Sequence, residues 1–282
     1  MDAGEGVSLR VRILTWNLNG RVRDLTKQVE FVCKQLPDLV VLQEVTRSTY
    51  DLLSKGLVEG GLTHILQTAT QAKVGPRKFG LLVASKWPMR EVAHVTAPLW
   101  GERLQVAEVS AENSQFRIIN THIPPGSTNK EIKVPMLEAA YAEAMASASI
   151  CPTILAGDFN APQEEGSDGL ITWAQTKRKD SSWRLIRTRG ERWDTAERNC
   201  FCGDLQDAFR ITNGDIPAHS WVLRHRDLQR FRRFDHVLVS PDWVVVAASY
   251  LGTALDNRLS DHAPLLVELE FAPAVAETNT VN

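Results

Sequence analysis

The chain has 282 residues, 43% of them hydrophobic and 23% charged, with 32 Lys or Arg against 34 Asp or Glu and a formal net charge of −2. This length and composition suit a globular protein with room for a sizeable core, and they exclude disordered, low-complexity and fibrous classes. Because the overall charge is close to neutral, a polyanion could be bound only by a local basic patch.

The predicted elements run as follows. "LRVRILTWNLN" alternates apolar and polar residues before ending in polar ones, which predicts a strand running into a loop. "DLTKQVEFVCKQLP" sets Leu25, Val29, Val32 and Leu36 on one helical stripe, with Asp24 as cap and Pro37 as stop. "DLVVLQEV" is a continuous apolar run, as expected of a strand buried on both faces. The middle reads as strands between turn signals: "THILQTA", "FGLLVAS", "REVAHVTA", "RLQVAEVS" and "FRIINTHI". An alanine-rich helix follows in "KEIKVPMLEAAYAEAMASAS", with Pro135 in or just before its first turn. The strand "TILAGDFN" comes next, and a longer polar region leads to "DLQDAFRI", which can be helical. "SWVLR", "FDHVLVS", "WVVVAASYL" and "PLLVELEF" close the chain as strands. Helices mixed with consecutive strands predict a layered α/β fold with mixed or antiparallel sheets.

"MDAGEGVSLR" lacks an apolar signal core, and no stretch is apolar for long enough to span a bilayer. Cys33, Cys151, Cys200 and Cys202 lack the spacing of a disulfide scaffold. A soluble, intracellular (cytoplasmic) monomer without membrane contact is expected. "CFC" at 200–202, with His219 and His225 downstream, offers half a zinc site. Structural zinc ligands are usually spaced CxxC or HxxxH, so buried thiols are the better reading.

Polar residues gather where strands end. Asn17 and Asn19 follow the first strand, Glu44 ends the second, His122 ends "FRIINTH", and Asp158 and Asn160 end "TILAGDFN". Asp235 and His236 open "DHVLVS", and Asp261 and His262 precede the last strand. Taken singly, each can be a turn or cap residue. An acid in an apolar strand such as "VVLQEV" needs a partner or a metal. Mg2+ is an economical one, since it takes carboxylate and amide oxygens such as those of Glu44, Asn17 and Asp261; Mn2+ is the alternative ion.

"TWNLNG", "LQEV", "NTH", "GDFN", "FDHVLVS" and "SDHAPL", in that order, resemble the endonuclease/exonuclease/phosphatase superfamily over residues 9 to 271. The resemblance implies a four-layered α/β sandwich with two central mixed β-sheets flanked by helices. It further implies metal-dependent phosphoester cleavage at one end of the sheets. Position by position, it makes Glu44 the metal-binding glutamate with Asn17 beside it and Asp261 near the metal. Asp158 becomes the residue that orients and deprotonates water, with Asn160 positioning phosphate or water. His262 becomes the phosphate-contacting histidine, and Asp235 the acid that orients it. His122 matches a position that is histidine in deoxyribonuclease, sphingomyelinase and inositol phosphatase branches and usually tyrosine in abasic-site endonucleases. A single catalytic domain over residues 8–272 is expected, between flexible ends at 1–7 and 273–282.

Substrate has to be read outside these motifs. Between 171 and 234 there are fourteen Lys or Arg against eight Asp or Glu, interleaved with Trp173, Trp183, Trp193 and Trp221. Such a stretch suits phosphate-backbone contacts and base stacking. "DLQDAFR" followed by "SWVLRHRDLQRFRRFDHVLVS" is also similar to the C-terminal third of exonuclease III-type nucleases. Asn19, Trp221, Arg224 and Arg226 are therefore expected to bind substrate. The expected activity is Mg2+-dependent hydrolysis of nucleic acid, DNA first, by an activated water. A phosphatase or phosphodiesterase acting on an inositol phosphate or lipid headgroup is the alternative, and an inactive binding scaffold is the non-enzyme one. "GDFNAPQEEGSDG" lacks the second pair of acids often found after this loop in repair enzymes.

Overall fold

In the computed structural model, the apolar run at 39–45 turns its residues alternately to two different cores. Leu39 and Val41 join one cluster, and Val40 and Leu42 another. A strand covered on both faces has no polar face to supply, so its sequence does not alternate. Residues 9–166, 169–225 and 228–271 are described. The expected flexible ends, 1–7 and 273–282, and Arg226 lie outside the described residues.

The chain opens with strand β1 (Leu9–Asn17), helix α1 (Leu25–Lys34), strand β2 (Leu39–Val45), helix α2 (Tyr50–Glu59) and strands β3 (His64–Gln67), β4 (Gly80–Ser85) and β5 (Met89–Glu91). Strands β6 (Leu104–Ala111) and β7 (Ser114–His122) pair antiparallel; helix α3 (Lys130–Ala148) then crosses over, and β8 (Thr153–Asp158) returns parallel to β7. Two short antiparallel pairs follow, β9 (Glu164–Gly166) with β10 (Gly169–Ile171) and β11 (Gln175–Lys177) with β12 (Trp183–Leu185). After helix α4 (Gly190–Cys202) come β13 (Gln206–Asp207), α5 (Ala208–Asn213) and a ribbon of β14 (Trp221–His225) with β15 (Leu228–Arg232). Strands β16 (Asp235–Val239) and β17 (Val244–Tyr250), helix α6 (Thr253–Asp256) and strand β18 (Leu265–Phe271) complete the chain.

Two six-stranded sheets result, in the orders β17-β18-β1-β2-β4-β3 and β13-β16-β8-β7-β6-β5. Each holds one parallel pair, β1 with β2 and β7 with β8, among antiparallel ones. The sheets face each other across a core that includes Ile13, Val41, Phe116, Ile118, Ile154 and Val267. Outside the first sheet, Val29 of α1 and Leu57 of α2 cluster with Leu14 and Leu42. Outside the second, Leu137 of α3 and Trp193 of α4 cluster with Leu155. The architecture is the expected four-layered α/β sandwich with two mixed sheets.

Local expectations differ at several points. Asp24 does not cap α1: its backbone is left-handed, and its carboxylate accepts from Lys27 Nζ at 2.8 Å. Leu36 lies beyond the end of α1 and is 79% exposed, so the buried stripe is Leu25, Val29 and Val32. In "REVAHVTA" only the first two residues belong to a strand, β5. Pro135 falls inside α3, which begins five residues earlier, because Val134, Met136 and Leu137 around it are held in the outer core. Helices α2 and α4 arise from segments whose polar content hides their buried residues, Leu53 and Leu57 in one and Trp193, Ala196 and Cys200 in the other. In "DLQDAFRI" the helix starts at Ala208, after Asp207 Oδ1 accepts from the amides of Phe209 and Arg210.

Candidate active site

The two parallel pairs bring strand ends from both sheets to one edge of the sandwich. Asn17 pairs with Gln43 in the first sheet. In the second, Asp158 has His122 on one side and Asp235 on the other. Asn17 Nδ2 donates to Asp158 Oδ2 at 2.8 Å and approaches Glu44 Oε1 at 3.4 Å, which joins the sheets at this edge. Local backbone does the aiming. The β2–β4 register shifts between Leu42 and Val45, and Glu44 within that irregularity has φ +58°. The bulge re-aims a side chain that strict alternation would point elsewhere. Gly157 has φ +145°, and a Cβ there would lie 1.9 Å from the Thr121 carbonyl oxygen, so only glycine lets β8 approach β7 one residue before Asp158.

Asp158 is 1% exposed, and its oxygens are the meeting point of the site. Oδ1 accepts from the Asn160 amide at 2.8 Å, and Oδ2 accepts from Asn17 and, at 3.2 Å, from Asn160 Nδ2. His122 Nε2 lies 3.7 Å from that oxygen and His262 Nε2 lies 3.9 Å from it. On the far side of its ring, His262 Nδ1 is 2.7 Å from Asp235 Oδ2. Burial opposes a charge on His262, but Asp235 and then Asp158 outweigh it and push its pKa up to about 10. Burial raises Asp158 to about 7 against the opposing effect of His262. Burial also raises Glu44, with His262 and Asn17 partly compensating.

His122 sits on a different partner. Arg103 Nη1 is 3.0 Å from its Nδ1 and 3.2 Å from its Nε2, and Glu44 Oε1 is 3.7 Å from Nε2. Burial, then the Arg103 charge, holds its pKa well below the usual value. An arginine can only donate, so the ring faces it as a neutral acceptor.

Four carboxylates of this edge, Glu44, Asp158, Asp235 and Asp261, make a donor set of hard oxygens. The buried Oδ1 atoms of Asp235 and Asp261 accept no hydrogen bond among the described residues. That surplus of unpaired anionic oxygen fits a divalent cation. Asp158, Asp235 and His262 offer ligand atoms within 4.8 Å of one another. Since His262 Nδ1 is occupied by Asp235, and a protonated ring repels a cation, the Glu44 side is the better seat on physical grounds. Asn17 lies there with its Oδ1 accepting from the Asn19 amide at 2.8 Å, and Asp261 Oδ2 accepts from Trp221 Nε1 at 3.3 Å.

The predicted residues thus come together, with differences among the substrate-binding set. Trp221 pairs with His262 through a bridge at the root of the β14–β15 ribbon and packs on Phe234 at 5.2 Å. Beside Asn160 it helps line a cavity of about 230 Å³ together with Trp173, Trp193, Arg189 and Arg232. Arg224 is carried by β14 on the same ribbon. Asn19 is an exposed turn residue with φ +58°. Trp183 is apart from this cavity, on β12 near Lys177. Cys200 is buried and Cys202 exposed, and neither belongs to a metal-ligand cluster among the described residues. His236 is a buried structural histidine, with Nε2 2.9 Å from the Ala161 carbonyl oxygen. Sequence reasoning missed Arg103 and Lys133. Arg103 opens a predicted strand and Lys133 sits in an alanine-rich helix, where a basic residue carries no signal of burial.

Three solved structures share the fold: an endonuclease/exonuclease/phosphatase from Beutenbergia cavernae (18% identity, 93% of this chain and 72% of that one, TM-score 0.61), D. rerio TDP2 humanized by 14 mutations (15%, 92% and 98%, 0.64), and an AP endonuclease from Archaeoglobus fulgidus (18%, 91% and 98%, 0.67). A sequence profile of the Endonuclease/Exonuclease/phosphatase family matches residues 14–262. With the profile covering every strand end described above, the chain belongs to that family of metal-dependent phosphoester hydrolases, which includes nucleases and phosphodiesterases.

Proposed function

We propose that this protein is a divalent-metal-dependent nuclease that hydrolyses phosphodiester bonds of DNA. The observation that carries the reading is the arrangement around Asp158: a buried carboxylate held by Asn17 and Asn160, facing His262, with an aromatic and basic cavity immediately beyond Asn160. Glu44, with Asn17 and Asp261, would hold the cation, Mg2+ or Mn2+, which supplies charge neutralisation to the non-bridging phosphate oxygens.

The remaining work falls to the side chains. Asp158, raised toward neutrality by its burial, takes a proton from the attacking water. Asn160 fixes both oxygens of that carboxylate, so the proton acceptor has one orientation. His262, protonated and oriented by Asp235, donates to a phosphate oxygen as negative charge builds there. His122, neutral against Arg103 and with its Nε2 3.7 Å from Asp158 Oδ2, is assigned to the leaving-group side. Trp173 and Trp221 give apolar faces for bases or sugars, and Arg189 and Arg232 give cations for flanking phosphates. We further propose that residues 8–272 act as one catalytic domain and that the protein works as a monomer.

The test is cleavage of a labelled panel with Mg2+ and with chelator: single- and double-stranded DNA, an abasic-site duplex, RNA and a soluble inositol phosphate, each beside Asp158→Ala. Metal-dependent DNA cutting that the variant loses is the expected result. Cleavage of the inositol phosphate alone would overturn the nucleic-acid reading and reassign the basic cavity to a headgroup.

A further inference from the structure

Lys133 of α3 is 0% exposed, the one lysine so buried among the described residues. Its neighbours in sequence, Val134, Met136 and Leu137, belong to the outer core, where a methionine would fill the same space without the penalty of burying a cation. The ammonium points at the catalytic loop. Nζ donates to the Asn160 carbonyl oxygen at 2.7 Å and to that of Phe159 at 3.1 Å. Trp173 Nε1 donates to the same Asn160 oxygen at 2.9 Å. Glu197 of α4, buried as well, accepts from the Trp173 amide at 3.1 Å and supplies a charge opposite to that of Lys133.

These contacts act where the backbone needs them. Asn160 has φ +48°, a left-handed conformation that asparagine adopts more readily than other residues with a Cβ when its side chain finds local partners. That conformation lets its amide reach Asp158 Oδ1 at 2.8 Å while its side-chain nitrogen reaches Asp158 Oδ2 at 3.2 Å and the Ile123 carbonyl oxygen at 2.9 Å. Asn160 therefore grips both oxygens of Asp158, and two donors grip its carbonyl from behind.

We propose that Lys133 is a positioning residue for phosphoester cleavage, holding the Asn160 peptide so that Asn160 in turn orients the Asp158 carboxylate. The inference rests on the proposed role of Asp158. It goes beyond that role by assigning the geometry of the carboxylate to a buried cation on α3 that acts through the Asn160 peptide. It also ties a wall of the aromatic cavity, Trp173, to the same carbonyl. Reacting groups displaced by about an ångström lose on the order of a hundredfold in rate, so a partly loosened loop should lose about tenfold or more.

Lys133→Met in the full chain removes the donor and keeps the volume. Expected results are a kcat at least about tenfold lower with KM within about twofold, and shifted resonances for the Asn160 side-chain amide and the Trp173 indole N–H. A purely structural lysine would lower the melting temperature and leave kcat of the folded protein unchanged. If Lys133→Met does not fold, Trp173→Phe removes the second donor to the same oxygen and should move the Asn160 resonances and kcat in the same direction. A folded Lys133→Met with wild-type kcat, or with the Asn160 resonances unmoved, overturns the proposal, as does a Trp173→Phe without effect where it has to decide. Turnover is measured on DNA and on bis(p-nitrophenyl) phosphate, a plain phosphodiester. Wild type that cleaves only the latter refutes the nucleic-acid reading while the Lys133 comparison still stands on that substrate. Wild type inactive on both leaves the resonance shifts to decide.

Discussion

Behind the site lies a buried ion cluster whose contribution to stability can be measured by one atom exchange, Asp207→Asn. Arg233 has a side chain only 1% exposed and Asp207 one only 7% exposed. Arg233 Nη2 donates to Asp207 Oδ2 at 2.7 Å and Nη1 donates to Oδ1 at 3.2 Å, while Glu165 takes the other edge of the guanidinium with Oε2 2.8 Å from Nη2. His236 Nδ1 lies 3.3 Å from Asp207 Oδ2. Asparagine keeps an oxygen for the cap on Phe209 and Arg210, so the substitution isolates the charge. Breaking a buried pair by removing one partner costs about 3–5 kcal/mol, and the remaining Glu165 argues for the lower end, about 3 kcal/mol. At roughly 2 °C per kcal/mol for a chain of this size, the melting temperature should fall by about 6 °C at pH 7.

The pH dependence has a definite sign. Burial alone would raise the Asp207 pKa, but Arg233 and His236 overcome it and hold it well below the ordinary 3.8. A folded-state pKa below the unfolded one gives stability that is complete above 3.8 and is lost as pH falls toward the folded value. The gap between wild type and Asp207→Asn should therefore be constant from pH 5 to 8, at about its pH 7 size, and narrow below about pH 4. Differential scanning calorimetry across that range reads it. A gap under about 1 °C at pH 7, or one that widens on acidification, would refute the reasoning.

His262→Ala should lower kcat by about 10²–10⁴-fold, since it removes an acid–base group, and should also lower the melting temperature, since it leaves the buried Asp235 carboxylate without its partner; near-normal turnover would cancel its assignment. Glu44→Gln should raise the Mg2+ concentration for half-maximal activity and weaken Mn2+ binding in calorimetry, and unchanged titrations would move the metal elsewhere. Gly157→Ala places a methyl group 1.9 Å from the Thr121 carbonyl oxygen, so it should destabilise by more than about 4 kcal/mol. Soluble protein with a wild-type melting curve would contradict the close approach of β8 to β7.

Much of the fold was legible because burial leaves a periodic trace. "DLVVLQEV" lacks alternation for the reason that β2 is covered on both faces, and Leu25, Val29 and Val32 recur at helical spacing since only one face of α1 is covered. The gathering of polar side chains was legible as well: carboxylates, amides and imidazoles at strand ends need partners whatever the topology. Local pattern fell short where few residues carry the burial. Helix α4 has the mean character of a polar segment, and its Trp193, Ala196 and Cys200 become core only against α3.

By itself, then, the sequence determined the layered α/β class, the strand ends that carry the clustered polar groups and their chemical kinds, because residue type and period are local properties. Only the tertiary structure decided that Asn17 bridges the two sheets to Asp158, that Arg103 faces His122, and that Lys133 stands behind Asn160. Those are contacts between residues distant along the chain. No local signal marks a basic side chain as buried, and its partners are set by how the sheets and helices stack.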